Sequence, residues 1–245
     1  VVEPAEMTRR PLDIHVLLDE LEALAQDDPT LGSRIDLQRV AVVGQSMGGY
    51  TSLAMAGATF DLDTLEKSCP PQITQLTLSL LLQCLVPLLP PPLPPLQDEQ
   101  VRAAIAINPL DSAVFGPSGM ANIDIPVMIV SGSADTVTPA LAEQIRPFTW
   151  LEIPERYLLL MEGGTHFSAI YDPQASEDSI ALPEEALGPN PQLAQDYLRA
   201  MSVAFLKTYL TEDETYRQYL DQSYTAGLSQ PELPVALARN VTIED

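Results

Sequence analysis

The sequence of 245 residues has few side chains that bind metals or form cross-links, since it contains two cysteines and two histidines. Two cysteines exclude a disulfide-rich scaffold, and a four-ligand zinc site would use every Cys and His in the chain. We therefore predict no metal site. Any reaction that needs a histidine base has two candidates, His15 and His166.

Basic residues are also scarce, with 12 Lys and Arg against 34 Asp and Glu, which gives a formal net charge of −22. A surface this negative repels phosphate groups, so we expect neither a nucleic-acid partner nor docking on anionic lipid. The most apolar stretch, residues 76–96, contains six prolines. Because proline removes backbone donors and clashes inside helices, this stretch does not predict a transmembrane segment.

The apolar segments that are present predict an α/β fold with a mostly parallel sheet and flanking helices. Three short apolar runs and a mixed one, continuous and not alternating, indicate strands buried on both faces: Arg39–Gly44, Ala103–Asn108, Val127–Gly132 and Tyr157–Gly163. Helical patterns lie before, between and after them: Pro11–Gln26, Met47–Ala58, Pro139–Ile145 and Pro191–Leu210. In the first helix an apolar stripe of Ile14, Leu18, Leu21 and Ala25, joined by Leu17 and Leu24, predicts the buried face. The opposite face carries His15, which we expect to be solvated and not catalytic.

We predict one domain over residues 1–210, an insertion at about 60–100, and a C-terminal extension, 211–245, that packs on the same domain. The insertion is too long for a plain connection and holds ten leucines between positions 76 and 96. We interpret it as a cap, and the alternative is that its leucines complete the core. Cys69 and Cys84 bracket its first half. They would form a disulfide in an oxidising compartment or stay as buried thiols in a reducing one.

The strongest chemical signal is the G-x-S-x-G motif at residues 44–48, directly after one predicted strand and before a helix. In this context Ser46 is the predicted nucleophile on a sharp, strained turn. We expect glycine at 44 and 48 because side chains would collide across the turn, and Gly49 to let the helix approach closely. The Met47 N–H would then face a developing oxyanion.

A serine hydroxyl needs a base, and His166, just past the last predicted strand, is the candidate. The base in turn needs a carboxylate that orients its ring. Asp135 follows the third predicted strand and is preferred, while Asp111 follows the second and is the alternative acid. Their chain order, Ser46, Asp135, His166, is the order used with a nucleophile elbow.

These segments, GQSMGG, GSADTVTP and GGTHF, resemble the α/β-hydrolase superfamily, over roughly residues 9–210. The closest likeness is to the bacterial branch related to dienelactone hydrolases and platelet-activating-factor acetylhydrolases. The resemblance implies a Ser-His-Asp hydrolase of carboxylic esters that works through an acyl-enzyme and needs no cofactor. The apolar cap suggests small-molecule, lipid-like ester substrates.

The chain also departs from that superfamily, whose members carry several strands and an oxyanion loop before the elbow strand. Their absence indicates a fragment of a longer protein or a divergent minimal form, and the missing initiator Met favours a fragment. The elbow strand would then be an open sheet edge. Alternatives with the same residues are a thioesterase, a lactonase or an acyltransferase, and a non-catalytic interaction domain is an alternative of another class. The acidity would suit a periplasmic or extracellular location.

Overall fold

The computed structural model describes residues 2–69, 77–170 and 183–241 of the chain. Within them, five strands form one sheet in the order β1–β2–β3–β4–β5. The first four strands are parallel, and the fifth is antiparallel to the fourth. The predicted α/β class, with a mostly parallel sheet and flanking helices, is confirmed. The strands are β1 (Val40–Gln45), β2 (Val101–Ile107), β3 (Val127–Gly132), β4 (Arg156–Met161) and β5 (Val235–Ala238).

The central strands are apolar throughout because both of their faces are covered. In β2, Ala104 and Ala106 belong to one hydrophobic core, while Ala103, Ile105 and Ile107 belong to the core on the opposite face. Because successive side chains point to two faces that are both buried, such a strand lacks the alternating polar residues of a strand with one exposed face. This is why these strands could be predicted from continuous apolar runs.

The helices are α1 (Glu6–Asp27), α2 (Pro29–Gly32), α3 (Met47–Met55), α4 (Leu62–Ser68), α5 (Leu78–Gln83), α6 (Gly116–Met120), α7 (Arg146–Trp150), α8 (Glu184–Leu187), α9 (Pro191–Leu210) and α10 (Gln222–Leu228). A π-helical turn, Leu141–Ile145, leads into α7. Short 3₁₀ segments cover Val86–Leu88, Ser168–Ile170 and Glu214–Tyr219. Helix α9 has the predicted limits, whereas α3 ends earlier than predicted because the chain turns at Gly57, whose φ is 117°.

The two faces of the sheet are covered by different parts of the chain. Helix α3, between β1 and β2, packs on one face together with α1 and the segments between later strands. Helix α9, which follows β4, covers the opposite face. The connections between β1, β2, β3 and β4 all run in the same direction across the sheet and have the same hand, so they lie on one face. The opposite face must therefore be covered by a helix that follows β4. In the part of the chain that the structure describes, no helix combines the length and apolarity needed to cross a membrane.

Helix α1 is longer than predicted and places Pro11 in its interior. A proline there donates no hydrogen bond to the carbonyl four residues earlier, which belongs to Met7. The Tyr50 hydroxyl supplies that bond instead, at 2.5 Å, and so ties α1 to α3. The predicted buried face is partly wrong, since Leu17 and Leu24 are each 51% exposed. The helix packs through a narrower stripe than the sequence pattern suggests.

The inserted segment is held to the domain by its own apolar residues and by a cross-link. Cys69 and Cys84 form a disulfide that closes a separation of 15 residues, of which residues 70–76 lie outside the described part. Leu65, Val86 and Leu96 join the main core, as the core-completing alternative requires. Other leucines of the segment are exposed, namely Leu62, Leu78, Leu81 and Leu88. The segment therefore both completes the core and presents apolar surface.

The C-terminal extension contributes a strand that the sequence pattern did not predict. Strand β5 pairs antiparallel with β4, and Leu233, Val235 and Leu237 are buried. Four residues after a proline give too little alternation to identify a strand, because its stability comes from pairing with a distant segment. Strand β5 thus joins the C-terminal extension to the sheet.

At the opposite side of the sheet, β1 is an edge strand, paired only with β2 within the described residues. Val43 in this strand is 52% exposed. A groove of about 530 Å³ runs beside the edge, between α1 and α3. The strand that leads into the G-x-S-x-G turn therefore has one open side, as predicted.

Candidate active site

Ser46 occupies the turn between β1 and α3, with φ 58° and ψ −119°. A positive φ is uncommon and costly for a residue with a side chain, so the surrounding structure must hold it. A Cβ on Gly44 would lie 2.1 Å from the Gly48 carbonyl oxygen, so this glycine is required for the turn to close. The Ser46 N–H also donates to the Ile107 carbonyl at 2.9 Å. The strained turn is therefore fixed by β1, α3 and the end of β2 together.

The reason predicted for the second glycine of the motif is wrong. A Cβ on Gly48 would meet no atom within 4 Å, so this residue supplies the backbone against which Gly44 packs and has no steric need of its own. Gly49 behaves as predicted, because a Cβ there would lie 3.0 Å from the Pro109 Cβ and 3.2 Å from the Ile107 carbonyl oxygen. The close approach of α3 to the end of β2 depends on Gly49.

The side chain of Ser46 and the N–H of Met47 are both available for binding. In the part of the chain that the structure describes, the Ser46 hydroxyl neither caps α3 nor hydrogen-bonds to His166. Met47 is the first residue of α3, and N–H groups in the first turn of a helix have no intrahelical acceptor. A half-buried hydroxyl thus lies next to an unused donor at the positive end of a helix.

Asp135 and His166 meet above the carboxyl ends of β3 and β4. The distance from His166 Nδ1 to Asp135 Oδ2 is 2.7 Å, and the residues are each 5% exposed. Asp135 Oδ1 accepts the backbone N–H groups of Val137 and Thr138, both at 2.7 Å. The Thr138 hydroxyl donates to Asp135 Oδ2, also at 2.7 Å. Four donors around one carboxylate satisfy its two oxygens and fix its direction.

This contact also determines which nitrogen of His166 is free. Because a carboxylate only accepts, Nδ1 carries the proton and Nε2 is left with its lone pair. Among the described residues, Nε2 has no hydrogen-bond partner and is not closed off from solvent. Phe167 packs edge-on against the imidazole at 5.3 Å between ring centroids. The orientation of the ring is thus fixed by Asp135 on one nitrogen and by packing against Phe167.

Two amide side chains that the sequence did not identify connect His166 to the strand ends. The Gln45 Nε2 donates to the His166 carbonyl oxygen at 2.9 Å, and Gln45 directly precedes Ser46. Asn108 Nδ2 donates to the same oxygen at 3.3 Å. The only sequence signal for Asn108 is an Asn-Pro pair after a strand, which marks a turn and not a site. The amides place the histidine loop at the same sheet edge as the Ser46 turn.

The alternative acid, Asp111, lies in a different environment. It is fully buried, and neither of its carboxyl oxygens has a hydrogen-bond partner among the described residues. Burial, and then repulsion by Glu143, raise the pKa of Asp111 well above its ordinary value. Glu143 itself accepts hydrogen bonds from the Asp111 and Ser112 N–H groups, both at 3.0 Å. Asp111 makes no hydrogen bond to His166, and its surroundings disfavour the ionised form of its carboxyl.

The other histidine, His15, is only 23% exposed in its side chain, which corrects the prediction of a solvated position. Its Nε2 donates to the Leu96 carbonyl at 3.1 Å and lies 3.8 Å from Asp98 Oδ2. The long insertion returns to the domain at this point, so a helix face that is polar in sequence is partly covered by distant residues. His15 therefore joins α1 to that segment.

Residues 2–69, 77–170 and 183–241 contain no group of three or more His, Cys, Asp or Glu side chains arranged to hold a metal ion. No protein-family model matches this chain, and no curated protein matches it either. The α/β fold with a mostly parallel sheet is therefore established by the structure alone.

Proposed function

We propose that this chain is a serine hydrolase that cleaves carboxylic esters through Ser46, His166 and Asp135. The observation that carries the proposal is the 2.7 Å contact between His166 Nδ1 and Asp135 Oδ2. This contact lies at the carboxyl ends of the strands, where Ser46 also occupies a strained turn. A serine on such a turn gains nothing structurally from its positive φ, and strain of this kind clusters at reactive positions. The order of the three residues along the strands resembles that of the α/β-hydrolase superfamily.

In the first half of the proposed reaction, the Ser46 Oγ attacks the ester carbonyl carbon and passes its proton to His166 Nε2. The carbonyl oxygen becomes an oxyanion, which the Met47 N–H stabilises with help from the N-terminus of α3. The bond to the leaving alcohol then breaks, and His166 Nε2 gives its proton to that alcohol. The acyl group remains on Ser46. Asp135 stays ionised and stabilises the imidazolium.

In the second half, water replaces the alcohol beside His166. Nε2 removes a proton from the water, which attacks the acyl carbonyl carbon and forms a second oxyanion at the Met47 N–H. When this intermediate collapses, Ser46 Oγ leaves and regains a proton from Nε2, and the carboxylic acid is released. The absence of a Ser46–His166 hydrogen bond agrees with this scheme, because such bonds are often long before substrate binds.

The exposed leucines of the inserted segment support apolar esters as the substrate class. Leu78, Leu81 and Leu88 are 54%, 46% and 68% exposed, although burial of such side chains is favourable. A surface of this kind suits substrates that carry long acyl chains. Hydrolysis rates over a series of esters from short to long acyl chains test this class. Turnover of short, charged esters alone would contradict it.

Labelling by a fluorophosphonate tests the nucleophile directly, because this reagent phosphonylates an activated serine. We expect one label per chain, lost in Ser46→Ala and in His166→Ala. Ser33→Ala is a matched control, since Ser33 is exposed and bonds only to the Thr30 carbonyl through its hydroxyl. A wild-type protein that is folded and takes no label would favour the non-catalytic interaction domain.

The same three residues would also serve a thioesterase, a lactonase or an acyltransferase. Parallel assays with an ester, a thioester and a lactone of equal acyl length separate the hydrolytic reactions. Adding an alcohol acceptor and measuring the new ester separates transfer from hydrolysis. We expect the ester to be hydrolysed with the highest kcat/KM. A protein that labels at Ser46 and prefers another of these bonds would keep the mechanism and replace the substrate.

A further inference from the structure

The carboxyl end of β2 carries no residue of the proposed reaction, yet it contacts every segment that does. The Ile107 carbonyl accepts the Ser46 N–H, which fixes the nucleophile turn. The next residue, Asn108, contacts both the segment that carries Asp135 and the loop that carries His166. These two successive residues are therefore the junction of three segments that are distant in sequence.

Asn108 uses both ends of its side-chain amide in this junction. Its Oδ1 accepts the Gly132 N–H at 3.1 Å, at the end of β3. Its Nδ2 donates to the Thr165 carbonyl at 3.2 Å and to the His166 carbonyl at 3.3 Å. Its backbone carbonyl oxygen lies 3.2 Å from the hydroxyl oxygen of Thr138, whose proton goes to Asp135 Oδ2. The side chain is 3% exposed, so water does not replace these contacts.

The backbone of Asn108 explains why an asparagine occupies this position. Its φ is 43°, in the left-handed region that Gly and Asn tolerate better than other residues. Glycine would satisfy the backbone but would provide no amide. Asparagine thus meets two requirements at once, a left-handed turn at the end of β2 and a buried donor–acceptor pair between two loops.

We propose that Asn108 is a positioning residue, which holds the Asp135–His166 pair in register with the Ser46 turn. The inference rests on the proposed function. The carbonyl oxygen of His166 accepts hydrogen bonds from Asn108 Nδ2 and from Gln45 Nε2, and Gln45 directly precedes Ser46. Loss of the Asn108 amide frees one of these two attachments and also releases the Gly132 N–H. A displacement of about 1 Å at a reacting group costs on the order of 10²-fold in rate.

Asn108→Gly is the most direct variant, because glycine keeps the positive φ while removing the amide. We expect kcat for ester hydrolysis to fall by about 10- to 100-fold, with KM within about threefold of wild type. Asn108→Asp keeps the acceptor for Gly132 but places an oxygen against two carbonyls, and we expect a loss in the same range. Asn122→Ala is the matched control, since Asn122 also donates two side-chain hydrogen bonds but is exposed and lies in another loop. Its kcat should equal that of wild type.

A second measurement does not depend on activity. The chain has two histidines, so ¹⁵N-histidine spectra contain two imidazoles, and His15→Gln identifies the signal of His166. We expect the Nδ1 proton of His166 to exchange with solvent at least about tenfold faster in Asn108→Gly, because a loosened loop breaks the Asp135 contact more often. If Asn108→Gly does not fold, Gln45→Met removes the second attachment, and the same increase in exchange is expected.

Unchanged kcat and unchanged proton exchange in folded Asn108→Gly or Asn108→Asp would overturn the proposal. A rise of about 10- to 100-fold in KM with unchanged kcat would also overturn the proposal, since that pattern indicates a role in substrate binding and not in positioning. If wild-type protein neither labels nor hydrolyses esters, the proposed function fails. The exchange of the His166 proton still decides whether Asn108 holds the pair.

Discussion

Asp135 and Asp111 follow neighbouring strands of one sheet and are both buried, but they have opposite surroundings. Asp135 receives four hydrogen bonds, one of them from the His166 imidazole. Asp111 receives none and lies beside a second carboxyl, that of Glu143. Glu143 in turn receives four hydrogen bonds from neutral groups, two of them from the side chains of Ser79 and Gln83 in α5.

The comparison shows that burial alone does not give a carboxyl its role. A buried carboxylate stays ionised where donors surround it, and it becomes protonated where they are missing. Only Asp135 combines a full set of donors with a titratable ring that it can orient. Glu143 uses its donors to join α5 to the segment after β2 and so serves the fold. Asp111 adds to that junction a buried carboxyl whose pKa is raised.

The largest difference between the two aspartates should appear in the rate of ester hydrolysis. Asp135→Asn leaves the size of the side chain unchanged but loses the acceptor that fixes the His166 tautomer. We expect kcat to fall by about 10⁴-fold. Asp111→Asn is the matched control and should stay within about threefold of wild type. Steady-state kinetics on one ester measures both, and a larger loss in Asp111→Asn would reverse the assignment of the acid.

The next largest effect should be on stability, and it should belong to Glu143. Glu143→Leu leaves four buried donors without an acceptor, so we expect the free energy of unfolding to fall by about 3 kcal/mol or more. Urea titration followed by circular dichroism measures the change. Glu152 is exposed, and Glu152→Gln should change the same quantity by less than about 0.5 kcal/mol. A greater loss of stability in Asp135→Asn than in Glu143→Leu would contradict the assignment of Glu143 to the fold and of Asp135 to the reaction.

The disulfide anchors the same inserted segment from its other side. Replacing Cys69 and Cys84 together by Ala opens a loop with a sequence separation of 15 residues, and we expect a loss of about 3 kcal/mol in unfolding free energy. Reduction of wild-type protein should give the same loss, and the double variant should not respond to reductant. Both the reduced protein and the double variant should still be labelled by a fluorophosphonate at temperatures below their unfolding transitions. Loss of labelling in folded protein would mean that the segment also shapes the Ser46 site.

The smallest effect concerns the pH dependence of stability. The native pKa of Asp111 is raised by burial and by Glu143, so between about pH 4 and that value the native state binds a proton that the unfolded state has lost. The free energy of unfolding therefore falls as pH rises through this interval. Asp111→Asn removes that slope. We expect the variant and wild type to agree within about 0.5 kcal/mol at pH 4 and the variant to be the more stable at pH 8.

Urea titrations at pH 4, 6 and 8 measure this difference for both proteins. The more exposed Asp124→Asn is a control and should run parallel to wild type over the whole range. A constant gap between Asp111→Asn and wild type across the three pH values would show that Asp111 is ionised in the native state. The contrast with Asp135 would then rest on hydrogen bonding alone.

The four parallel strands, the G-x-S-x-G turn and the preference for Asp135 over Asp111 were all reached from local patterns. Apolar runs, a motif between strand and helix, and the order of residues along the chain are properties of short segments. The exposed Leu17 and Leu24, the partly covered His15 and strand β5 were not predicted. Each depends on which distant segment packs against it, and that information is not present in a local window.

The amino-acid sequence by itself determined that an α/β sheet forms and that Ser46 stands between a strand and a helix, because these features follow from periodicity and from glycine at position 44. Tertiary structure alone decided which buried carboxyl acquires donors. Hydrogen-bond partners at Asp135 and Glu143 come from segments that fold next to each other only when the sheet assembles. The same is true of Asn108, whose two amide ends reach loops that are 24 and more than 55 residues away.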